Sequence, residues 1–148
     1  MFRDAVLDDL PDVVRLLADD VYGATREVEA SPLDPRYVAG FAAMLAQGGR
    51  LLLTVDDGAI IGCLQLNILY GVATLGSCVA QIEGVRVASA RRGKGVGRAM
   101  IGHAVGLARA AGCRTVQLTT RVERADAQRF YEQIGFTRSH AGYRLAML

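Results

Sequence analysis

A chain of 148 residues that is 51% apolar and 22% charged, with only 3 Pro, carries enough hydrophobic material to fold alone, burying about 70% of the surface its unfolded form exposes. That length leaves no room for a second full domain, and that composition excludes an intrinsically disordered chain. The net charge of +2 conceals an asymmetry: residues 1–34 sum to −6, residues 35–83 to −1 and residues 84–148 to +9. Such polarity points to an anionic partner gripped by the second half and a cationic one facing the first, the bland alternative being two solvated faces.

In chain order, residues 2–6 read as a first strand. Asp9 is placed to cap a helix with Pro11 in its first turn, whose apolar face is Leu10, Val13, Val14 and Leu17. Residues 21–32 lack a clear period and read as a loop or short irregular helix. Asp34-Pro35 then opens a second helix with Tyr37, Val38, Phe41, Met44 and Leu45 on one stripe, ended by Gly48-Gly49. Residues 50–55 form a strand leading into Asp56-Asp57-Gly58, a strong hairpin signal, and residues 59–68 return. Residues 79–87 form a further strand. A glycine-rich loop follows, then a helix over 97–111 with Met100, Ile101, Ala104, Val105 and Ala108 inward and Gly112 at its end. Residues 115–120 are a short strand, 126–134 a helix stopped by Gly135, and 143–147 a last strand. This order implies an α/β (α+β) fold with a mixed sheet and helices on both faces.

Residues 59–82 contain no charge and are long enough to cross a bilayer, but Gln65, Asn67, Gln81 and the glycines at 62, 71 and 76 break them into strand-length pieces. No membrane partner is therefore expected. Met1-Phe2-Arg3-Asp4 has no signal-peptide shape, which makes the cytoplasm the expected compartment. Cys63, Cys78 and Cys113 are odd in number and widely spaced, with only His103 and His140 to assist them. That argues against a disulfide framework or a metal site, so the cysteines are read as buried core and both histidines as surface residues.

Arg91-Arg92-Gly93-Lys94-Gly95-Val96-Gly97-Arg98 lies between a strand and a helix N-terminus, where free backbone N–H groups and the helix dipole favour an anion. Glycines let several amides converge, and the surrounding bases add charge, which makes a pyrophosphate cradle. The ATP-type GxxxxGK[ST] pattern fails because no Ser or Thr follows Lys94, and Gly93, Gly95 and Gly97 give GxGxG, not the dinucleotide GxGxxG.

Arg92-Gly93-Lys94-Gly95-Val96-Gly97 resembles the R/Q-x-x-G-x-G/A signature of the GNAT superfamily of N-acetyltransferases. Ala127-Gln128-Arg129-Phe130-Tyr131-Glu132-Gln133-Ile134-Gly135-Phe136 is similar to that family's A-x-x-F-Y-E-x-x-G-F motif, and the order of elements matches over nearly the whole chain. The resemblance implies one domain over 1–148, with a mixed, mostly antiparallel sheet whose strands splay at the cofactor site. It implies acetyl-CoA as co-substrate, no metal, and transfer of the acetyl group to an amine. The pyrophosphate would lie on the amides of Arg92, Gly93, Lys94, Gly95, Val96, Gly97 and Arg98. The pantetheine would pair like an extra strand with Val85, Arg86 and Val87.

Amide formation from a thioester needs a neutral amine and a proton for the departing thiolate. Tyr131 matches the family's tyrosine beside the thioester sulfur, the alternative being a core aromatic between Phe130 and Phe136. Glu83 is the only acid between Asp57 and Glu123, and strand alternation places Val85 and Val87 on its face. In some family members a Glu nine residues before the loop's Arg/Gln acts as base, often through water. Glu83 is thus a catalytic base or a structural acid paired with Arg86 or Arg114. Arg124 departs from the family's common Asn, so Arg124 or Asp126 would replace its contact to the pantetheine arm. The acceptor would meet a wall built from the first helix, residues 21–32 and the second hairpin, which Asp19, Asp20, Glu27 and Glu29 make acidic, hinting at a cationic amine. A small-molecule amine is the first reading of the acceptor, by direct transfer in a ternary complex. A protein or peptide amine and a non-catalytic acyl-CoA sensor are the alternatives. A homodimer is the expected assembly. Nucleic-acid binding is the weaker reading of the basic half, because the bases cluster at the cofactor loop and aromatics are only 6%.

Overall fold

The hairpin turn sets the middle of the sheet. In the structure, a computed structural model describing residues 1–148, Asp57 (φ +49°) and Gly58 (φ +76°) both take the left-handed conformation, whose twist suits a two-residue connection between paired strands. They join β2 (Arg50–Asp56) to β3 (Ala59–Leu69). With β1 (Phe2–Asp4), β4 (Val79–Val87) and β5 (Thr115–Leu118) these make a five-stranded sheet in the order β1-β2-β3-β4-β5. The first three pairings are antiparallel. β5 runs parallel to β4, since Arg114 N donates to the Cys78 carbonyl at 3.0 Å and Gln117 Nε2 to Gln81 Oε1 at 2.8 Å, in ascending order along both strands.

The helices are α1 (Leu10–Ala18), α2 (Gly23–Arg26), α3 (Pro35–Ala46), a four-residue turn α4 (Ala73–Gly76), α5 (Val96–Ala110) and α6 (Ala125–Gln133). α5 is the crossover that parallel strands require. None of the helices is long and apolar enough to cross a membrane. The chain divides into two compact units, Met1–Gln117 and Leu118–Leu148.

In the first unit the sheet is covered on both faces. Leu53, Val55 and Cys63 pack with Val13 and Leu16 of α1. Their neighbours Leu52, Leu64, Leu66, Ala80 and Ile82 turn to the opposite face, where α5 contributes the buried Met100, Ile101, Ala104 and Ala108. Strand alternation separates the two sets. Each fully buried aliphatic side chain contributes about 1.5–3 kcal/mol. α1 begins after a 3-10 turn (Leu7–Asp9), because Asp9 accepts from Val6 N at 2.8 Å and pairs with Arg3 at 2.7 Å instead of capping the α-helix. Asp34 does cap α3, accepting from Arg36 N at 2.9 Å. Of the α3 stripe only Met44 is buried, and Val38 and Leu45 stay exposed.

His103 is a correction to the surface reading. It is half-buried on α5 with its ring stacked on Phe2, centroids 4.6 Å apart.

In the second unit α6 is followed by residues 137–148 without helix or strand. The expected last strand over 143–147 is not formed, and Tyr143, Leu145 and Met147 are 94%, 85% and 84% exposed. Period-two patterning gives a segment the faces of a strand, but the strand itself exists only through inter-strand hydrogen bonds. This segment makes none.

Candidate functional site

The site is built on an irregularity in β4. Cys63 of β3 pairs with Arg86 and Gln65 with Glu83, so the single residue Leu64 faces two residues, Gly84 and Val85. Gly84 takes φ +60°, a conformation that costs glycine little, and a bulge of this kind inserts one residue and shifts the alternation beyond it. This corrects the expected faces. Val87 pairs with Gly62 on the α5 side of the sheet, whereas Glu83 shares the α1 side with Arg86, Cys63 and Gln65. Glu83 is exposed and makes neither of the proposed ion pairs, so burial imposes no cost on its charge. β5 spans four residues against the nine of β4 and accompanies only the first part of it. The edge of Val85, Arg86 and Val87 therefore has no strand beside it, and an extended ligand could add there.

Beyond β4, residues Ser89–Arg91 form a 3-10 turn and the glycine loop enters α5. Gly93 (φ +73°) and Gly95 (φ +84°) are left-handed, and a Cβ on either would project into open space. Gly95 is the N-cap of α5, without a side-chain cap and without an acid in the first turn. The first N–H groups, those of Val96, Gly97 and Arg98, are thus available to an anion. Lys94 and Arg98 are exposed beside them. Arg92 is used differently: its Nε donates to the Val87 carbonyl at 3.1 Å and its Nη2 to the Asp19 carbonyl at 2.8 Å, bracing the loop against the end of α1. Arg91 ties the same loop to Asp56 at the hairpin.

The acids that hinted at a cationic acceptor are largely engaged. Asp19 pairs with Arg92 at 3.5 Å and accepts from Ser89 N at 3.3 Å. Asp20 pairs with Arg86 at 3.5 Å, both side chains mostly buried. Glu27 pairs with Arg26 at 3.0 Å and accepts from the Tyr37 hydroxyl at 3.2 Å. Glu29 has no such partner. These arginine braces were not legible in the sequence, where only charge sums were available. Arg86 keeps one buried nitrogen, Nε, without a hydrogen bond. Opposite it, burial pushes the Cys63 thiol up to about 12, with Arg86 lowering it only in part. A thiol in that state is almost wholly protonated near neutrality and is a poor nucleophile.

The second unit holds the other nominated residues. α6 starts after Arg124, which is half-buried, with no side-chain cap. Arg124 N donates to the Arg121 carbonyl at 3.0 Å, and Gln128 Nε2 to the Val122 carbonyl at 2.9 Å. Asp126 pairs with Arg129 on the same helix and is exposed. Tyr131 is half-buried, its ring edge-on to Phe130 at 5.1 Å and to Phe136 at 5.8 Å. Gly135 (φ +104°) ends the helix and lets Phe136 N return to the Tyr131 carbonyl at 3.0 Å. The two aromatic neighbours fix the orientation of the Tyr131 ring.

A bulged strand with a free edge, running into a glycine loop and an uncapped helix N-terminus, is an arrangement for a long ligand with a phosphate portion. The sequence model of the acetyltransferase (GNAT) family matches residues 12–136. An aminoalkylphosphonate N-acetyltransferase of Salmonella typhimurium is 28% identical over 131 residues, which cover 87% of this chain and 84% of that one. A glucosamine 6-phosphate N-acetyltransferase of Trypanosoma brucei brucei is 32% identical over 76% of each chain. Among solved structures, one described as a transcriptional regulator from Bacillus halodurans superposes with a TM-score of 0.95 at 39% identity, over 99% of both chains. The fold, the loop and these relatives agree, and the chain belongs to the acetyltransferase (GNAT) family as an N-acetyltransferase.

Proposed function

We propose that residues 1–148 act as one domain that transfers the acetyl group of acetyl-CoA to a primary amine of a small molecule, directly and in a ternary complex. The observation that carries this reading is the uncapped N-terminus of α5 behind Gly93 and Gly95, at the end of a β4 along which no strand continues beyond β5. The family match runs from residue 12 to 136 and so crosses the boundary between the two units.

When bound, acetyl-CoA supplies a thioester. The amides of Val96, Gly97 and Arg98, with Lys94 and Arg98, hold its pyrophosphate, and the backbone of Val85, Arg86 and Val87 aligns the pantetheine arm. Arg92 braces the loop instead, its guanidinium on the Val87 and Asp19 carbonyls and its amide on the Ser89 carbonyl at 3.4 Å. Glu83 receives the proton of the acceptor ammonium, directly or through water, its exposed carboxylate being open to both. The Tyr131 hydroxyl delivers a proton to the departing sulfur, and Arg124 or Asp126 takes the pantetheine contact. Direct transfer is supported by the Cys63 thiol, which burial pushes up to about 12 and which does not favour an acetyl-cysteine intermediate.

The relatives acetylate an aminoalkylphosphonate and glucosamine 6-phosphate, both small amines, which supports a small acceptor over a protein amino group. Glu29 of the acceptor wall and Glu83 of β4 lie outside the arginine pairs and are the acids proposed to receive a positively charged amine. The cytoplasm, where acetyl-CoA is available, is the proposed compartment, and a homodimer the proposed assembly. A second reading, a non-catalytic acyl-CoA sensor, is favoured by one observation, the name given to the Bacillus halodurans chain. Release of free thiol from acetyl-CoA with a panel of small primary amines and amino-terminal peptides separates these readings. Turnover with a small amine is expected. Tight coenzyme A binding with no transfer to any amine would overturn the enzyme in favour of the sensor.

A further inference from the structure

Two of the three cysteines, which the transfer reaction does not use, lie side by side. Cys78 precedes β4 and is 6% exposed, and Cys113 follows Gly112 (φ +79°) in the turn after α5. Their sulfur atoms are 3.4 Å apart, and both cysteines are free thiols. Backbone bonds hold them there: Arg114 N donates to the Cys78 carbonyl at 3.0 Å, and Cys113 N to the Ala108 carbonyl at 3.0 Å. The Cys78 sulfur also lies 3.8 Å from the Ala111 carbonyl oxygen. Cys113 is half-buried and opens on a cleft of about 140 Å³ lined by Arg109, Arg114 and Thr115. Cys63 is buried on the other face of the sheet.

We propose that Cys78 and Cys113 are a dithiol site that small anionic disulfides oxidise to an intramolecular disulfide, with Cys113 reacting first and Cys78 resolving. The thiolate of Cys113, a minor species because burial and the neighbouring Cys78 push that thiol up to about 11, attacks a disulfide RS–SR slowly from the cleft, forming Cys113–S–S–R and releasing one thiol RSH. Cys78 then attacks the Cys113 sulfur, forming the Cys78–Cys113 bond and releasing the second RSH. The two thiol protons leave on the two RSH molecules, and the two electrons reduce the incoming disulfide. Closing the 3.4 Å sulfur contact to a bond of about 2.05 Å needs the two sulfurs to approach by about 1.4 Å. The guanidinium groups of Arg109 and Arg114 attract a reagent bearing carboxylates. Cys113 is the attacking thiol because it is the reachable one, and burial keeps Cys78 for the second step. The bond would join the two ends of segment 79–112, which carries the β4 bulge, the glycine loop and α5. Oxidation therefore staples the candidate cofactor site as a unit.

The test uses the full chain incubated with glutathione disulfide, then acid-quenched, unfolded, alkylated and peptide-mapped. Wild type is expected to lose two of its three alkylatable thiols, with Cys78 and Cys113 in one linked peptide and all three thiols restored by dithiothreitol. Its melting temperature should rise by several degrees, as expected when a long loop is closed. Cys63→Ser should behave as wild type, and Cys78→Ser should stop at a glutathione adduct on Cys113. Three alkylatable thiols after prolonged exposure would overturn the proposal. So would a glutathione adduct that persists in wild type, or a bridge involving Cys63. The wild-type peptide map alone decides this if a variant fails to fold.

Discussion

Gly23→Ala is the most demanding test of the packing that holds the loop. Gly23 is buried at the start of α2, and a Cβ there would lie 1.8 Å from the Leu17 carbonyl oxygen and 2.9 Å from its carbonyl carbon. An unstrained carbon–oxygen contact is about 3.3 Å, so one backbone must retreat by roughly 1.5 Å. The obstacle is main chain at the end of α1, and no side-chain rotation relieves it. Overpacking of this severity belongs at about 3 kcal/mol, the upper end of the usual range, which for this size lowers the melting temperature by about 6–12 °C. The displaced segment includes Asp19 and Asp20, which hold Arg92, Ser89 N and Arg86, so coenzyme A affinity should weaken as well. Gly40→Ala is the matched control. It lies inside α3 with nothing within 4 Å of its Cβ, and should stabilise by about 0.5–1 kcal/mol. Thermal melts with and without coenzyme A measure both. A Gly23→Ala protein that melts within about 2 °C of wild type would refute the assigned contact between α1 and α2.

Further expectations concern the ligand loop, the two proton carriers and acid stability. Coenzyme A should raise the melting temperature by mass action while ATP and NAD do little. Gly95→Val, which strains a left-handed position by about 1–2 kcal/mol and fills the open side of the cradle, should abolish that rise; an equal rise with ATP would remove the assignment. Glu83→Gln should lower turnover by about 10²-fold with coenzyme A affinity nearly unchanged, and unaltered turnover would leave Glu83 a bystander on the exposed face. Tyr131→Phe keeps the ring between Phe130 and Phe136, so a single-turnover rate lower by roughly 10²–10⁴ is expected if the hydroxyl is the acid, whereas a wild-type rate would leave water as the proton source. Arg36 holds the Asp34 carboxyl down to about 2, and arginine partners also depress Asp4 and Asp9. Depressed carboxylates stabilise the fold fully above the unfolded value of about 3.9 and progressively less as pH falls through their folded values. Urea midpoints should therefore drop between about pH 4 and pH 2, with a shallower drop in Asp34→Ala; a flat profile would contradict the ion pairs.

Much of the fold is legible because its causes are local. The left-handed pair Asp57-Gly58 commits the chain to a tight hairpin wherever it lies. The 3.6-residue period in 96–110 commits α5 to one buried face, and Gly93 and Gly95 permit backbone angles that other residues resist. The motifs around Arg92 and Tyr131 are local in the same sense, so the family and the identity of the candidate residues were visible without coordinates.

What the tertiary structure decided are pairings between distant residues. Alternation alone puts Glu83 and Val87 on one face, and the bulge at Gly84 separates them, because register is settled by which of two strands carries an extra residue. The acids of 19–27 look like a free surface in the sequence, but arginines 26, 86 and 92 hold them, Arg86 and Arg92 from more than 60 positions away. Cys78 and Cys113 show no motif spacing, and only the parallel crossover through α5 sets their sulfurs 3.4 Å apart. Residues 143–147 have the pattern of a strand and no strand to join. Propensity and period are properties of a short stretch of chain, whereas register, ion pairing and thiol proximity come from the competition among many long-range contacts, which no single stretch contains.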